Sequence, residues 1–274
     1  RRRQARGGDA LRRVLLAAAL AQALAVTAGA VDWYVGDGRA GAKNVAGPVI
    51  ENSLHTNVTA VVAPGASTVA VFASGGFLEG ELVLIIQTFG SGAGTYELAR
   101  LSGPNAAGNI RLTTGTKNGF SVPGAQVLTV KEYESVTQTG GPWLASPFDG
   151  DSGGVFAVAV RGSFIQTGGN IAVTGAGFRG GRGAAANGGN QGDGTVVVPG
   201  GMATSQNGNG GGGGGMGAHG GGGGGHGAAG TFGVGGGSGN GGNAAGGPSL
   251  STIFFGGGGG GGGFNGGPGG GDGG

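Results

Sequence analysis

The chain has 274 residues, of which 78 are glycine and none cysteine, with a formal charge of +2. Without cysteine there is no disulfide framework, so hydrogen bonds and packing must hold the fold. The basic balance does not indicate nucleic acid: six of the fifteen Lys and Arg precede residue 14, and from Val31 onward nine basic residues face twelve acidic ones, which excludes a basic groove for phosphates.

The early arginines (Arg1, Arg2, Arg3, Arg6, Arg12 and Arg13) read as the charged start of a signal peptide. An apolar run, VLLAAALAQALAV, follows at 14–26, and then the small-residue site Ala28-Gly29-Ala30, with cleavage expected after Ala30. A spanning helix needs roughly 20 apolar residues. The run is shorter, so no stable membrane span is expected in the mature chain, which is read as secreted or held at a cell surface. The sequence opens without Met and stops inside glycine, and so reads as a piece of a longer protein.

Residues 31–140 are expected to form a β-rich domain. Trp33, Tyr34 and Val35 make a short apolar patch before a Gly36-Asp37-Gly38 turn. Residues 58–62 and 68–73 alternate apolar with small or polar positions, the period of half-buried strands. Glu81 to Gln87 (ELVLIIQ) carries a continuous apolar run, too short for a helix and therefore read as a central strand. Residues 96–101 and 109–113 flank a long Gly/Pro/Asn loop and read as a hairpin, and strands at 127–130 and 133–136 complete a barrel or sandwich. Residues 141–200 change to short strands between small turns, at 155–160, 163–166, 171–174 and 195–198, read as the first rungs of a β-solenoid.

Residues 201–274 are the glycine-rich region. The enrichment begins earlier, since 53 of the 78 glycines lie at 168–274. Such a segment is disordered unless backbone packs on backbone. The ordered alternative is an array of polyproline II-type helices whose missing Cβ atoms let neighbouring chains touch. Strict Gly-X-Y phasing is absent and only 9 prolines occur, which excludes collagen. The apolar inserts favour order over a solvated linker, and Phe232, Leu250, Ile253, Phe254, Phe255 and Phe264 are the candidate assembly residues. The fold expected is thus all-β: a barrel or sandwich, a short solenoid, then the polyglycine array.

Four motifs suggest chemistry. Gly150-Asp151-Ser152-Gly153-Gly154 reproduces the segment around the nucleophilic serine of trypsin-like proteases, but a triad needs a His base and an orienting carboxylate. The only upstream histidine, His55, lies in an unsuitable context, and no aspartate falls between it and Asp149. The motif therefore reads as a turn. His219 and His226 flank six glycines, too few ligands to close a metal site. No Lys-Ser or Lys-Thr follows the glycine runs, as a phosphate loop requires. Glu79 with Glu81, and Glu132 with Glu134, would share strand faces and read as edge charges that discourage aggregation. No catalytic role, cofactor or metal is expected.

Several stretches together resemble exported glycine-rich bacterial surface proteins labelled the adventurous gliding motility protein family. They are GELVLIIQ at 80–87, TYELAR at 95–100, GAQV at 124–127 leading to Tyr133, GNIAV at 169–173, GFRGG at 177–181, and SLST at 249–252 running into polyglycine. The resemblance spans about residues 75 to 263 and implies an exported or surface-attached structural or adhesive protein. It carries no catalytic residues to transfer, and the chain departs from it by ending without a strand-rich continuation. A looser, compositional similarity is to phage adhesin tips and glycine-rich antifreeze proteins. The function expected is self-assembly into extracellular filaments or a surface layer. The alternative is an adhesin in which Asn187, Asn190, Asn207, Asn209, Asn240 and Asn243 contact ligand. The partners expected are other copies of the chain and, second, surface glycans or the cell envelope, with no nucleic acid.

Overall fold

The computed structural model describes residues 36–103, 105–183, 188–208, 211–246 and 251–263. The signal peptide with Ala28 and Ala30, the assembly candidates Leu250 and Phe264, and Asn187 and Asn209 lie outside the described residues. The strands are β1 (Ala42–Val45), β2 (Val49–Glu51), β3 (His55–Asn57), β4 (Thr68–Ala70), β5 (Leu82–Gln87), β6 (Tyr96–Arg100), β7 (Asn109–Arg111), β8 (Ala125–Tyr133), β9 (Ser135–Ala145), β10 (Val158–Val160) and β11 (Phe164–Ala172). No helix occurs among the described residues, and the fold is all-β.

The run LVLIIQ becomes β5, which lies between β6 and β8 and is antiparallel to both. All six of its residues are buried. A strand covered on both faces needs apolar residues at every position, because successive side chains leave opposite sides. Val83 and Ile85 join Val69, Val71, Ile110 and Phe120 in one core, which the β4–β7 ribbon closes. Leu82, Leu84 and Ile86 face the other way, onto Phe89, Phe148, Phe178 and Phe255. The expected barrel does not form: the strands lie in three open sheets.

A second sheet is parallel throughout. The β1 and β2 strands pair with β9 from one side and β11 from the other, so β9 crosses the composition change near residue 140. Two heptads explain the stacking, SVTQTGG at 135–141 and SFIQTGG at 163–169. They place Gln166 beside Gln138 in register. Gln138 Nε2 donates to the Gly141 and Asn170 carbonyls (3.2 and 2.9 Å), and Gln166 Nε2 donates to Gln138 Oε1 and the Gly169 carbonyl (both 3.2 Å). The glycines are needed where bends stack. A Cβ on Gly169, whose φ is +72°, would lie 2.2 Å from the Gly141 carbonyl oxygen. Inside the stack Glu51 is buried, accepting hydrogen bonds from Tyr133 Oη (3.0 Å) and Trp143 Nε1 (3.0 Å). Burial, and then the Glu51 charge, push the Tyr133 hydroxyl above its ordinary range.

Two expected strands are absent. Residues 58–62 make only single bridges, Val58 to Val71 and Val62 to Phe120, because the chain passes from one partner to another too quickly for a ladder. At 195–198 the backbone groups are engaged singly: the Thr195 carbonyl accepts from Gly90 N–H, and Val197 N–H donates to Asn207 Oδ1.

The described glycine-rich residues form neither helices nor ladders, yet their backbones bond to one another with a spacing of three. Gly212 and Gly215 donate to Gly258 and Gly261 (2.9 Å each), Gly213 and Met216 to Asn240 and Gly237 (2.7 Å each), and Gly214 to Ala203 (2.8 Å). Three successive residues thus address three different neighbours. Gly257, Gly260 and Gly263 likewise donate to Gly225, Gly222 and His219. Pure glycine runs occupy the interior: Gly211 to Gly215 and Gly258 to Gly261 are buried. A Cβ on Gly214 would lie 1.9 Å from the Gly189 carbonyl oxygen, nearer than any side chain could be accommodated.

Candidate functional site

The turn at 149–154 stands between the central sheet and the start of the glycine-rich region. Its glycines answer local demands. Gly150, Gly153 and Gly154 have φ of +116°, +90° and +76°, and a Cβ on Gly153 would lie 2.3 Å from the Pro147 carbonyl oxygen. Such backbone favours glycine on both counts. The side chain of Gln126 in β8 clasps Gly153 from both ends, accepting from its N–H (2.7 Å) and donating to its carbonyl (3.0 Å).

The structure brings His55, the only upstream histidine, to this turn. His55 is in β3, which pairs with β8 at Leu128, and its Nδ1 lies 2.9 Å from Ser152 Oγ. Its Nε2 lies 3.0 Å from Ser146 Oγ. The β3–β8 pairing delivers the histidine across 97 residues of sequence, but it brings no carboxylate to the other ring nitrogen. Partial burial lowers the His55 pKa, and the nearby Asp149 charge offsets this only in part. Asp149 is itself raised by partial burial, but hydrogen bonds from the Ser152 and Asp151 N–H groups and the His55 charge together hold it below the usual carboxylate range.

The geometry makes this a brace. Ser152 is buried. Its N–H donates to Asp149 Oδ1 (2.8 Å), Gly153 N–H to Gln126, and Gly154 N–H to the Ser146 carbonyl (2.7 Å). The N–H donors that would stabilise an oxyanion are therefore already engaged. The His55 ring nitrogen opposite Ser152 meets a hydroxyl, whereas a carboxylate is what would support an imidazolium.

On its outer side the same turn borders a polar cleft of about 520 Å3, lined by Asp149, Asp151, Arg179, Arg182, Asn190 and Asp193 among others. Arg179 is fixed there: Nε donates to the buried Asp193 carboxylate (2.7 Å) and Nη1 to the Asp149 carbonyl (3.2 Å). Of the expected ligand asparagines, Asn190 lines the cleft, while Asn207 is buried, donating to the Gly192 and Val197 carbonyls.

The expected assembly residues divide. Phe255 is buried against Phe148 and Phe178, with ring centroids 5.6 and 5.2 Å away. Ile253 packs against the same core, and the Phe254 ring lies over Gly94, a position where a Cβ would clash. Phe232 remains 73% exposed. His226 Nε2 contacts the Phe254 carbonyl (3.1 Å), and the His219 ring lies against Gly235 and Gly237. Among the described residues no three His, Cys, Asp or Glu converge as metal ligands, and no helix is long and apolar enough to cross a membrane.

Two of the four carboxylates read as edge charges are engaged in ion pairs. Glu132 lies in β8, which has neighbours on both sides, and is buried under Arg100, whose Nη1 and Nη2 donate to its two oxygens at 2.9 and 2.8 Å. Glu81 pairs with Lys131 (2.9 Å), and Glu79 and Glu134 are exposed.

No protein-family model matches the chain, and no curated protein matches it. Among solved structures it is similar to the gp54 tailspike of Acinetobacter baumannii bacteriophage AP22, solved in complex with A. baumannii capsular saccharide, at 7% identity and a TM-score of 0.28 over 47% of this chain and 26% of that one. The gp49 tailspike of Pseudomonas phage LKA1 matches at 7% identity and a TM-score of 0.24, over 39% of this chain and 25% of that one. The matches span about a quarter of each tailspike.

Proposed function

We propose that the chain is an exported structural protein that self-assembles into filaments or a layer at the cell surface, as its resemblance to glycine-rich gliding motility proteins implies. The observation that carries this reading is the three-residue period of backbone hydrogen bonding around 211–216. Threefold helices of the polyproline II type present their N–H and C=O groups in three directions, and with glycine they pack side by side without side chains. The parallel stack of β1/β2, β9 and β11 is read as a short solenoid leading into that array. An outer segment of such an array keeps one side unfilled. At 228–234, Phe232 and Val234 are 73% and 85% exposed, while the backbone bonds inward to 220–223 and 239–242. A further copy of the chain has matching backbone to offer that side. Electron microscopy of the exported chain over a range of concentrations tests the reading: regular filaments or sheets are expected, and dispersed single particles at every concentration would overturn it.

One observation favours a second reading, a glycan-binding surface module. The cleft at Arg179 sets carboxylates, guanidinium groups and an amide around a space large enough for a small ligand. Carboxylates accept from sugar hydroxyls while guanidinium and amide groups donate to their oxygens. Isothermal titration with surface polysaccharide tests it: binding lost in Arg182→Ala with the fold intact supports the module, and absence of binding removes it.

A further inference from the structure

Beside the buried Phe255 lies a second cleft, of about 540 Å3, lined by Val173, Phe178, Phe254, Phe255 and His226 and otherwise by glycine. Among the described residues no Lys, Arg, Asp or Glu lines it. Its glycine backbone is open: among the described residues neither the N–H nor the carbonyl of Gly175 and Gly177 has a hydrogen-bond partner. A Cβ added to Gly175 or Gly256 would meet nothing within 4 Å. A concave apolar surface with a few polar groups left to pair suits an apolar side chain whose own backbone is also unpaired.

The outer segment of the glycine-rich region carries such a residue. Gly230 and Gly233 donate to the Gly242 and Gly239 carbonyls (2.8 and 3.0 Å), while the Thr231 and Val234 carbonyls accept from Gly223 and Gly220 (2.7 and 3.0 Å). Two of the three directions of a threefold helix are thereby taken. Phe232 faces the third: it is 73% exposed, and among the described residues its N–H and carbonyl have no partner. The pairing of 231 with 223 and of 234 with 220 sets Phe232 level with Gly222, whereas Gly257, at the cleft, bonds to Gly225. Three residues at 3.1 Å each put Phe232 about 9 Å from that level along the helices, and its ring faces outward, so it does not fill the cleft of its own chain.

We infer that Phe232 of one copy seats in the aromatic cleft of the next. Size permits it, since a cavity of about 150 Å3 already admits a benzene ring, and the cleft is large enough to take the ring with its adjoining backbone. Charge favours it: residues 194–263 contain no Lys, Arg, Asp or Glu, so the contact desolvates none of the charges that make burial costly. Backbone chemistry separates Phe232 from Phe72, which is 79% exposed. The Phe72 N–H is already bonded to the Asn57 carbonyl (3.0 Å), whereas Phe232 offers both a donor and an acceptor to the unpaired groups of Gly175 and Gly177. Ring and cleft are different surfaces, so each copy that receives a neighbour still presents its own Phe232, and head-to-tail contacts of this kind that do not close generate filaments. This deepens the self-assembly reading and rests on it, by naming the two surfaces that join.

Two variants of the exported chain test the contact by complementation. Phe232→Ser removes an exposed ring, and Gly256→Leu fills the cleft from a position where the added Cβ meets nothing, so neither disturbs the fold; unchanged circular dichroism checks this. Each variant alone is expected to need at least tenfold more protein than wild type to form filaments. Mixed in equal amounts they retain one intact ring and one intact cleft between them, and sedimentation is expected to show dimers that do not grow. Filaments that persist in either variant, or a mixture that stays monomeric, would overturn the contact while leaving self-assembly standing. Loss of assembly in Phe72→Ser but not in Phe232→Ser would give the cleft to Phe72 and overturn it likewise. Wild-type chain that stays monomeric at every concentration would overturn both readings.

Discussion

His55 is held between two hydroxyls, its Nδ1 2.9 Å from Ser152 Oγ and its Nε2 3.0 Å from Ser146 Oγ. Neutral imidazole, with one donor and one acceptor nitrogen, fits two hydroxyls that can each take either role. Charging the ring removes the acceptor and must also overcome partial burial, which is why its pKa falls below the ordinary 6.5. The unfolded chain therefore binds the proton more readily than the folded one, so stability rises with pH across this window. Stability from His55 is expected to be complete above about pH 6.5 and to decline as pH falls through the lower folded pKa. Urea unfolding from pH 5 to 8 checks this. The His55→Gln variant should lose the slope in that range, while the carboxylate-driven loss at more acid pH, to which Asp149 contributes, should remain.

Ser152 in its buried brace is expected to resist a fluorophosphonate probe in the native chain, because attack needs an accessible hydroxyl and N–H donors free to hold the developing oxyanion. Both Ser152 and Gly153 N–H groups are committed to Asp149 and Gln126. Ser152→Ala should instead appear as a stability loss of about 1 kcal/mol, the usual net worth of one hydrogen bond. Stoichiometric labelling of Ser152 at neutral pH, lost in His55→Ala, would show that the pair acts as a nucleophile and base.

The parts that were legible in the sequence are those governed by neighbours along the chain. The continuous apolar run within 81–87 reads as a central strand from its length and turn boundaries, and β5 is one. The β1 and β2 strands carry no clear period, and their partner β9 lies some ninety residues onward, so nothing local betrays them. The repeated Gln-Thr-Gly-Gly was in plain view, yet its use, an amide ladder across a parallel pair, depends on register. His55 and Ser152 were each visible, but only the β3–β8 pairing brings them together. The phenylalanines of the glycine-rich region show a further limit. Phe255 fills the core and Phe232 faces solvent, and residue type alone does not separate those roles.

Glu132 is 1% exposed at its side chain and relies on Arg100 for a two-pronged ion pair, with Arg39 only 3.6 Å from one oxygen. Removing one member of a buried pair leaves an uncompensated charge, a loss of about 3–5 kcal/mol. Arg100→Met is thus expected to lower the denaturation midpoint strongly. Arg39→Met should do so much less, because the paired guanidinium remains. Glu132→Gln, which retires the charge itself, should fall between them. Guanidinium chloride melts of the three variants check the order, and equal loss from both arginine variants would show that Arg39 carries as much of the pair as Arg100.

The glycine-rich region makes the most selective prediction, because substitution by alanine asks only whether a Cβ fits. On Gly260 that atom would lie 1.9 Å from the Gly213 carbonyl oxygen, and on Gly214 equally near that of Gly189. Neither backbone can move without breaking its bonds to other neighbours, so each substitution should cost about 2–4 kcal/mol, as severe overpacking does. Gly201 and Gly227 meet nothing within 4 Å, and neither has positive φ. Alanine there should be neutral or slightly stabilising, since it restricts the unfolded chain. Amide exchange over 211–215 and 257–263 separates the cases: protection should collapse in Gly214→Ala and Gly260→Ala and persist in Gly201→Ala and Gly227→Ala. Exchange within seconds across the wild-type region would mean that backbone packing does not hold it in solution, and the assembly reading would lose its physical basis.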